Sequence, residues 1–451
     1  MKNGKPVGRS CRFIPCIRKR REIRNDCRLM KPLFPIRYFR ATLQHYPKTI
    51  VALCFCVFLV AGMELYFSCK YGRTTPHESF VIDFHTYWRN RPHATFYRVD
   101  ENKEQIRYCY NAQGFRTRNP SAQIPLVKTA DTKRIMMMGD STTVGHGVAF
   151  ENSYAEALNR RFGDQVDVFS CAVSGFSAVQ CRIQLEQEIG QYEPDLITVA
   201  VNFNDRRSVL DPGEMDSEHF FYYTSRVRWF LDILSRHLAC VNALMQYKIQ
   251  SLQKQLEQNQ PRLDELICRV PPPPFAKNLE RICDVAGQKG IRVVFIGLGD
   301  SFQFFENIFA YREANNLEDK IQFLQTERNK KNSSTYGLAT LLLVDLIRQN
   351  GIEAAGLDPD SLLNSGQTVV SAFGGFLIQP DWIYREVMQT VAETKGIPYF
   401  DFVSYARGFD EIDNGGETIF IRGDLVHLNA KGHQLLADGL YPILADALDH
   451  L

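Results

Sequence analysis

Arg134-Ile135-Met136-Met137-Met138-Gly139-Asp140-Ser141 is the stretch that decides the fold. Its apolar run does not alternate with polar residues, so it reads as a strand buried on both faces. Gly-Asp-Ser then marks the point where the chain must turn. Outward from it, helical patterns alternate with further apolar runs. Asn152–Phe162 reads as a helix, Val166–Ser170 as a strand, Val179–Tyr192 as a helix and Leu196–Val201 as a strand. Later come a helix over Lys277–Gln288, a strand over Ile291–Ile296, a helix over Trp382–Thr394, a strand over Pro398–Val403 and a last helix over Asn429–Leu448. This alternation predicts a parallel sheet covered by helices on both faces, with ligands beyond the carboxyl ends of the strands.

Two segments interrupt the pattern. Across about 215–260, Phe230, Ile233, Leu234, Leu238, Val241 and Met245 recur at three- and four-residue steps. They are expected to form one apolar stripe packed into the core, in preference to lining a ligand groove. Pro271–Pro274 is expected to be a stiff break before the sheet resumes. Thr340–Gln349 reads as one more helix, and 76–132 as loops and short strands leading into the domain.

The chain has 451 residues, of which 45% are hydrophobic and 23% charged, which excludes a disordered, collagenous or polytopic membrane protein. The net charge of +2 hides an asymmetry. Residues 1–48 carry fourteen Lys or Arg against Glu22 and Asp26, a local charge of +12, so the remainder carries −10. An acidic body argues against nucleic acid as its partner. The basic tail, without expected structure, precedes an apolar run at 49–68 that Glu64 interrupts near one edge. That run is expected to span a membrane once. The cluster from Arg18 to Lys31 places the N-terminus in the cytoplasm and the large C-terminal part outside it. Residues 69–132 are then a linker and lead-in segment, and 133–451 the main domain. The twelve cysteines include no CxxC pair and no Cys/His ligand spacing, so no metal site is expected. Seven of them follow the span, which leaves room for a disulfide or two.

Four strand ends carry candidate chemistry. Ser141 follows the first strand, where the free N–H groups of a helix start would favour a developing oxyanion. The alternative is an Asp/Ser turn that caps a helix. Gly175 follows the second strand and offers its N–H at close approach. Asn204 follows the third and offers an amide donor. Asp205 is expected to order that loop. Near the C-terminus, Asp424 and His427 are three apart, so the carboxylate can hold one imidazole nitrogen while the other takes a proton. His433 is expected to be structural or at the surface.

In their order along the chain these blocks resemble the SGNH hydrolase superfamily, the GDSL-type esterases and lipases. Gly139-Asp140-Ser141 is similar to its first block, Gly175 to its second, Asn204 to its third and Asp424-x-x-His427 to its fifth. The resemblance implies a flavodoxin-like three-layer α/β/α sandwich with a parallel sheet, here with a helical insertion and an N-terminal transmembrane helix. It implies ester hydrolysis without a cofactor or metal. Ser141 would be the nucleophile, His427 the base and Asp424 its orienting partner. The Ser141 N–H, Gly175 N–H and Asn204 side chain would form the oxyanion hole. Asn202 stands where the family's third block opens with Gly, and Asn accepts positive φ less readily. The function expected is a membrane-anchored esterase acting on acyl esters of envelope glycans or lipids. An O-acyltransferase using the same residues and a non-catalytic envelope scaffold are the alternatives.

Overall fold

The structure, a computed structural model, describes residues 47–449 apart from 101–102, 130, 210–211, 259–266, 305–315, 330–345, 347–379, 410–417, 423 and 425. The chain divides into two compact units, one ending at Tyr66 and one running from Phe67 to Leu451. The expected basic tail up to residue 46 and nearly all of the helix expected at Thr340–Gln349 lie outside the described residues.

Helix α1 spans Pro47–Tyr71. Its stretch Val51–Tyr71 is 21 residues long with a mean hydropathy of 2.0, and none of it is buried. At 1.5 Å per residue that stretch is about 30 Å long, long enough for a bilayer core. Two antiparallel pairs follow: β1 (Phe80–Asp83) with β2 (Tyr87–Asn90), and β3 (Thr95–Val99) with β4 (Gln105–Cys109).

The central sheet is built from β5 (Lys133–Gly139), β6 (Val166–Ser170), β7 (Leu196–Ala200), β10 (Arg292–Gly297) and β11 (Tyr399–Asp401). Their spatial order is β11-β10-β7-β5-β6, and every pairing is parallel. Numbered within the sheet this is 2-1-3-4-5, a doubly wound order whose direction of travel reverses at β5. Register sets Ile135 opposite Leu196 and Gly139 opposite Ala200. Alternate residues therefore feed two cores. Met136, Met138, Ile197, Val199 and Phe295 belong to one, Ile135, Met137, Leu196, Val294 and Ile296 to the other.

Helices cover both faces. Those of the first core are α4 (Ala178–Gln187), α7 (Pro272–Gln288) and α9 (Asp381–Lys395). Those of the second are α3 (Tyr154–Phe162), α10 (Phe402–Arg407) and α11 (Ala430–Asp449). The one-turn α2 (Ser141–Val144) follows β5 directly, and α8 (Leu317–Asn329) lies between β10 and α9.

Several expectations change. The prolines do not break the chain ahead of a helix at Lys277; α7 starts at Pro272, because a proline in the first turn lacks only an N–H that would have no helical partner. The strand expected over Pro398–Val403 stops at Asp401, whose carboxylate accepts from Val403 N and Ser404 N and so starts α10. The helix expected over Val179–Tyr192 ends at Gln187, and Ile189–Tyr192 is a 3₁₀ turn. The helical interruption is two helices, α5 (Glu218–His237) and α6 (Ala239–Gln258), joined at Leu238 in extended conformation. The stripe expected in the core is not there: Phe230 is 57% and Leu238 39% exposed, and its other members are half-buried. Among the described residues of the two helices the buried ones are Phe221, which joins the first core, and the small or polar Ser225, Ser235, Ala239, Asn242 and Ala243. Short strands β8 (Ser208–Val209) and β9 (Ile267–Cys268) close the base of this hairpin.

Candidate active site

The site lies where β5 ends. Asp140 is the N-cap of α2 and its Oδ1 accepts from Thr142 N at 3.0 Å. This places Ser141 at the first position of the turn, with its side chain partly exposed. Gly145 closes the turn in the left-handed region at φ 79°. Arg116, from the lead-in segment, braces the chain on the far side of this turn. Its guanidinium donates to the carbonyls of Val144 (2.7 Å), Gly145 (2.6 Å) and Val148 (2.7 Å), and it is almost fully buried. Three backbone acceptors that no helix satisfies are thus satisfied by one side chain.

The loop before α11 brings in the second half of the site. Ile421 N donates to His427 O at 2.9 Å and Asn429 N to Ile419 O at 2.9 Å, so the chain doubles back over Ile419–Asn429. Inside this bend Asp424 Oδ1 accepts from Val426 N (2.8 Å) and His427 N (3.0 Å). Asp424 Oδ2 lies 2.7 Å from His427 Nδ1, and His427 Nε2 lies 2.8 Å from Ser141 Oγ. The spacing of three therefore brings carboxylate and ring together, and the fold carries the ring to a hydroxyl 286 positions away. Burial acts to raise the pKa of Asp424, but its bonds to the His427 ring and to two backbone N–H groups outweigh burial and lower it.

The remaining expected residues sit on adjacent strand ends. Val173 N donates to Gly139 O at 3.1 Å, which holds the loop after β6 against the end of β5. Gly175 in that loop has φ 84°, and a Cβ there would meet Trp88 Cζ2 at 3.1 Å. Trp88 is fixed in turn, because its indole N–H donates to Ser174 O at 3.0 Å. No hydrogen bond joins Gly175 to Ser141 or His427; its carbonyl accepts from Arg269 at 3.1 Å. Asn204, buried at the end of β7, donates from Nδ2 to Asp140 Oδ2 at 3.0 Å. One amide hydrogen is so used, beside the residue that carries the hydroxyl. Asn202 keeps out of the positive-φ region and donates to Asp381 at 2.8 Å, so the loop accepts it where a glycine was expected. Asp205 Oδ1 accepts from Ala178 N at 2.8 Å and ties this loop to the start of α4. His433 is fully buried and accepts from Tyr154 N at 3.4 Å.

Three neighbours were not legible as site residues. Asp140 reads in sequence as a turn former, yet its buried carboxylate holds both the Ser141 turn and the Asn204 amide. Burial pushes its pKa up to about 6 against the opposing pull of Thr142 N–H, His427 and Asn204. His146 sits with its ring centroid 4.5 Å from that of His427, and a His five places after the serine carries no signal of that contact. Arg116 lies outside every block that drew attention. A small cleft opens beside the site, lined in part by Asp140, Thr142, Asn202, Phe203 and Val426. Among the described residues no group of His, Cys, Asp and Glu is arranged to hold a metal ion.

The model of the GDSL-like lipase/acylhydrolase family matches residues 137–435, about two-thirds of the chain. The chain belongs to that family. This GDSL-like protein is a serine hydrolase of ester bonds. No curated protein matches it. Similar solved structures include the esterase EstA from Pseudoalteromonas sp., at 10% identity and a TM-score of 0.33 over 70% of this chain and 99% of that one. An acetyl xylan esterase matches at 12% identity and a TM-score of 0.33, covering 68% of this chain and 98% of that one. The lipase/acylhydrolase from Enterococcus faecalis matches at 12% identity and a TM-score of 0.33 over 70% and 96%. Membership rests on the family match and not on these likenesses.

Proposed function

We propose that this GDSL-family protein is a membrane-anchored esterase in which Ser141 is the nucleophile, His427 the general base and Asp424 the group that orients the base. The substrate class is O-acyl groups on envelope glycans or lipids. The observation that carries the reading is the unbroken chain of short contacts, 2.8 Å from Ser141 Oγ to His427 Nε2 and 2.7 Å from His427 Nδ1 to Asp424.

The steps follow from those contacts. Asp424 accepts a hydrogen bond from Nδ1–H and so keeps the ring proton on Nδ1, which leaves Nε2 unprotonated and facing the hydroxyl. As Oγ attacks the ester carbonyl, its proton passes to Nε2, and the imidazolium is stabilised by the carboxylate. Negative charge grows on the carbonyl oxygen. The N–H groups of Ser141 and Gly175 and the second amide hydrogen of Asn204 are the proposed donors to it, each worth about 3–4 kcal/mol in such a site. Collapse breaks the acyl C–O bond, and the alcohol leaves with the proton from Nε2. Water then attacks the acyl-enzyme, gives its proton to Nε2, and the acid is released with Ser141 restored.

The anchor in this reading is α1, which covers the region expected at 49–68 and runs past it at both ends. The basic N-terminal segment stays in the cytoplasm and the folded part lies outside it. The test is an activity series on the full chain and its Ser141→Ala variant. It uses acetylated glycans and p-nitrophenyl esters of rising acyl length. Activity should vanish in the variant with the fold intact. Full activity in Ser141→Ala would overturn the assignment. A reporter fused after Leu451 that works only in the cytoplasm should be silent; a positive signal would overturn the orientation.

A further inference from the structure

Among the described residues of the second unit, the α5–α6 hairpin carries most of the exposed large apolar side chains, only Phe230 and Leu238 of them from the stripe expected in the core. On α5, Tyr223 is 57%, Val227 61% and Phe230 57% exposed, at steps of four and three that make one stripe. Trp229 (46%) and Tyr222 (49%) flank it. On α6, Leu244 is 67%, Tyr247 70% and Leu252 48% exposed. A soluble surface rarely leaves so many large apolar groups together in water.

Three features say what covers them. The first is composition. Aromatic side chains are interleaved with cations: Arg226 lies over the rings of Tyr222 (3.4 Å) and Phe84 (4.9 Å), and Phe84 meets Trp229 edge-on at 5.9 Å. Trp and Tyr beside Arg is the pattern of the headgroup level of a bilayer, where rings straddle the boundary and long cationic side chains reach for phosphate. The second is attachment. Asn242 Nδ2 donates to the carbonyls of Tyr71 and Gly72 at 3.2 Å each, and Thr74 N donates to Ser235 O at 3.1 Å. Tyr71 is the last residue of the apolar helix. The hairpin is thus bonded to the chain at the point where it leaves that helix. The third is burial: beyond Phe221 the buried positions of the hairpin are the small or polar Ser225, Ser235, Ala239, Asn242 and Ala243, so most of its large apolar side chains face outward.

We propose that the outer face of the α5–α6 hairpin, led by Tyr223, Val227, Trp229, Phe230, Leu244 and Tyr247, lies in the headgroup layer of the bilayer that α1 crosses. This rests on the membrane-anchored reading above. The hairpin would then hold the hydrolase body in a fixed attitude on the lipid surface. Its root reaches the Gly175 loop, since Arg269 bonds both Asp216, just before α5, and the Gly175 carbonyl.

The experiment uses the full chain in vesicles of phosphatidylcholine and phosphatidylglycerol with brominated or unbrominated acyl chains. Bromine quenches only tryptophans within the bilayer, and the protein has three, Trp88, Trp229 and Trp382. The expected result is a loss of emission in brominated vesicles that disappears in Trp229→Phe. A second variant, Val227→Asp with Leu244→Asp, should abolish the quenching of Trp229 while esterase activity on a soluble ester remains. Two results would overturn the proposal with the anchor standing: quenching of Trp229 by aqueous iodide and not by bromine, or quenching only at high protein-to-lipid ratio with cross-links between copies, which assigns the face to a second copy. Release of the whole chain from vesicles by alkaline carbonate would overturn the anchored reading itself, and the hairpin proposal with it.

Discussion

Replacing Asp424 by Asn tests the proposed machinery more sharply than removing it. The amide has one oxygen and one NH₂. Two backbone donors, Val426 N at 2.8 Å and His427 N at 3.0 Å, need an acceptor at Oδ1. The amide oxygen therefore takes that place and the NH₂ faces His427 Nδ1. Nδ1 must then accept, and the ring proton moves to Nε2, where it points at Ser141 Oγ from 2.8 Å. A ring in that tautomer cannot take the hydroxyl proton. The cost of a ring fixed in the wrong tautomer is about 10⁴ in kcat, roughly 5.5 kcal/mol of barrier. Asp424→Ala separates tautomer from charge: both variants lose the carboxylate, but only the amide dictates the wrong proton, so Asn should be no more active than Ala. The assay is p-nitrophenyl acetate hydrolysis by the full chain, with thermal melting to show that the fold persists. An Asp424→Asn enzyme within about tenfold of the parent would refute the reasoning.

Gly175→Ala should lower stability by about 1–2 kcal/mol, because φ 84° is strained for a residue with Cβ. Trp88 cannot retreat without giving up its bond to Ser174 O, so the loop should shift and ester hydrolysis should fall as well; denaturant melts and initial rates read the two effects. Burial pushes Asp205 up to about 8, the opposing bond from Ala178 N notwithstanding. Its folded pKa lies above its unfolded value, so its contribution to stability is intact below about pH 4 and is lost as pH rises through about 8, at ~1.4 kcal/mol per pH unit. Asp205→Asn should flatten that slope in melts between pH 5 and 9. His433 behaves in the opposite sense: burial lowers it to about 3, so stability present above about pH 6.5 is lost as pH falls towards 3. His433→Gln should remove this acid sensitivity, and unchanged acid melts would count against a buried neutral ring.

What the sequence conveyed well was whatever depends on local order. Ile135–Met138 could only be a doubly buried strand, and the residues after β5, β6 and β7 had to fall at one edge of a parallel sheet. Asp424 and His427 were close enough along the chain for their contact to be read directly. Contacts set by tertiary folding were not legible. The Asp140–Asn204 bond joins two loops whose types alone say turn. The stripe from Phe230 to Met245 has helical periodicity, but periodicity says only that one side is apolar, not that protein covers it. The break at Leu238 has no Gly or Pro to announce it; α5 ends there because Ser235 and Asn242 are held by the chain at Tyr71–Thr74. Pro272 was misleading for a definite reason, since the same ring that ends a helix is well suited to begin one.

Arg116 has an implication for how such a protein can be divided or inherited. It lies before residue 137, where the family match begins, yet it supplies the donors for three carbonyls just past Ser141. Asn90, further upstream, does the same for Ala172 at 3.0 Å. A shortened gene product starting at the family boundary would keep every group proposed to react and lose the struts under two of its loops. Recombination between relatives would succeed only where the upstream stretch travels with the downstream one, so the heritable catalytic unit is longer than the portion that its relatives make recognisable.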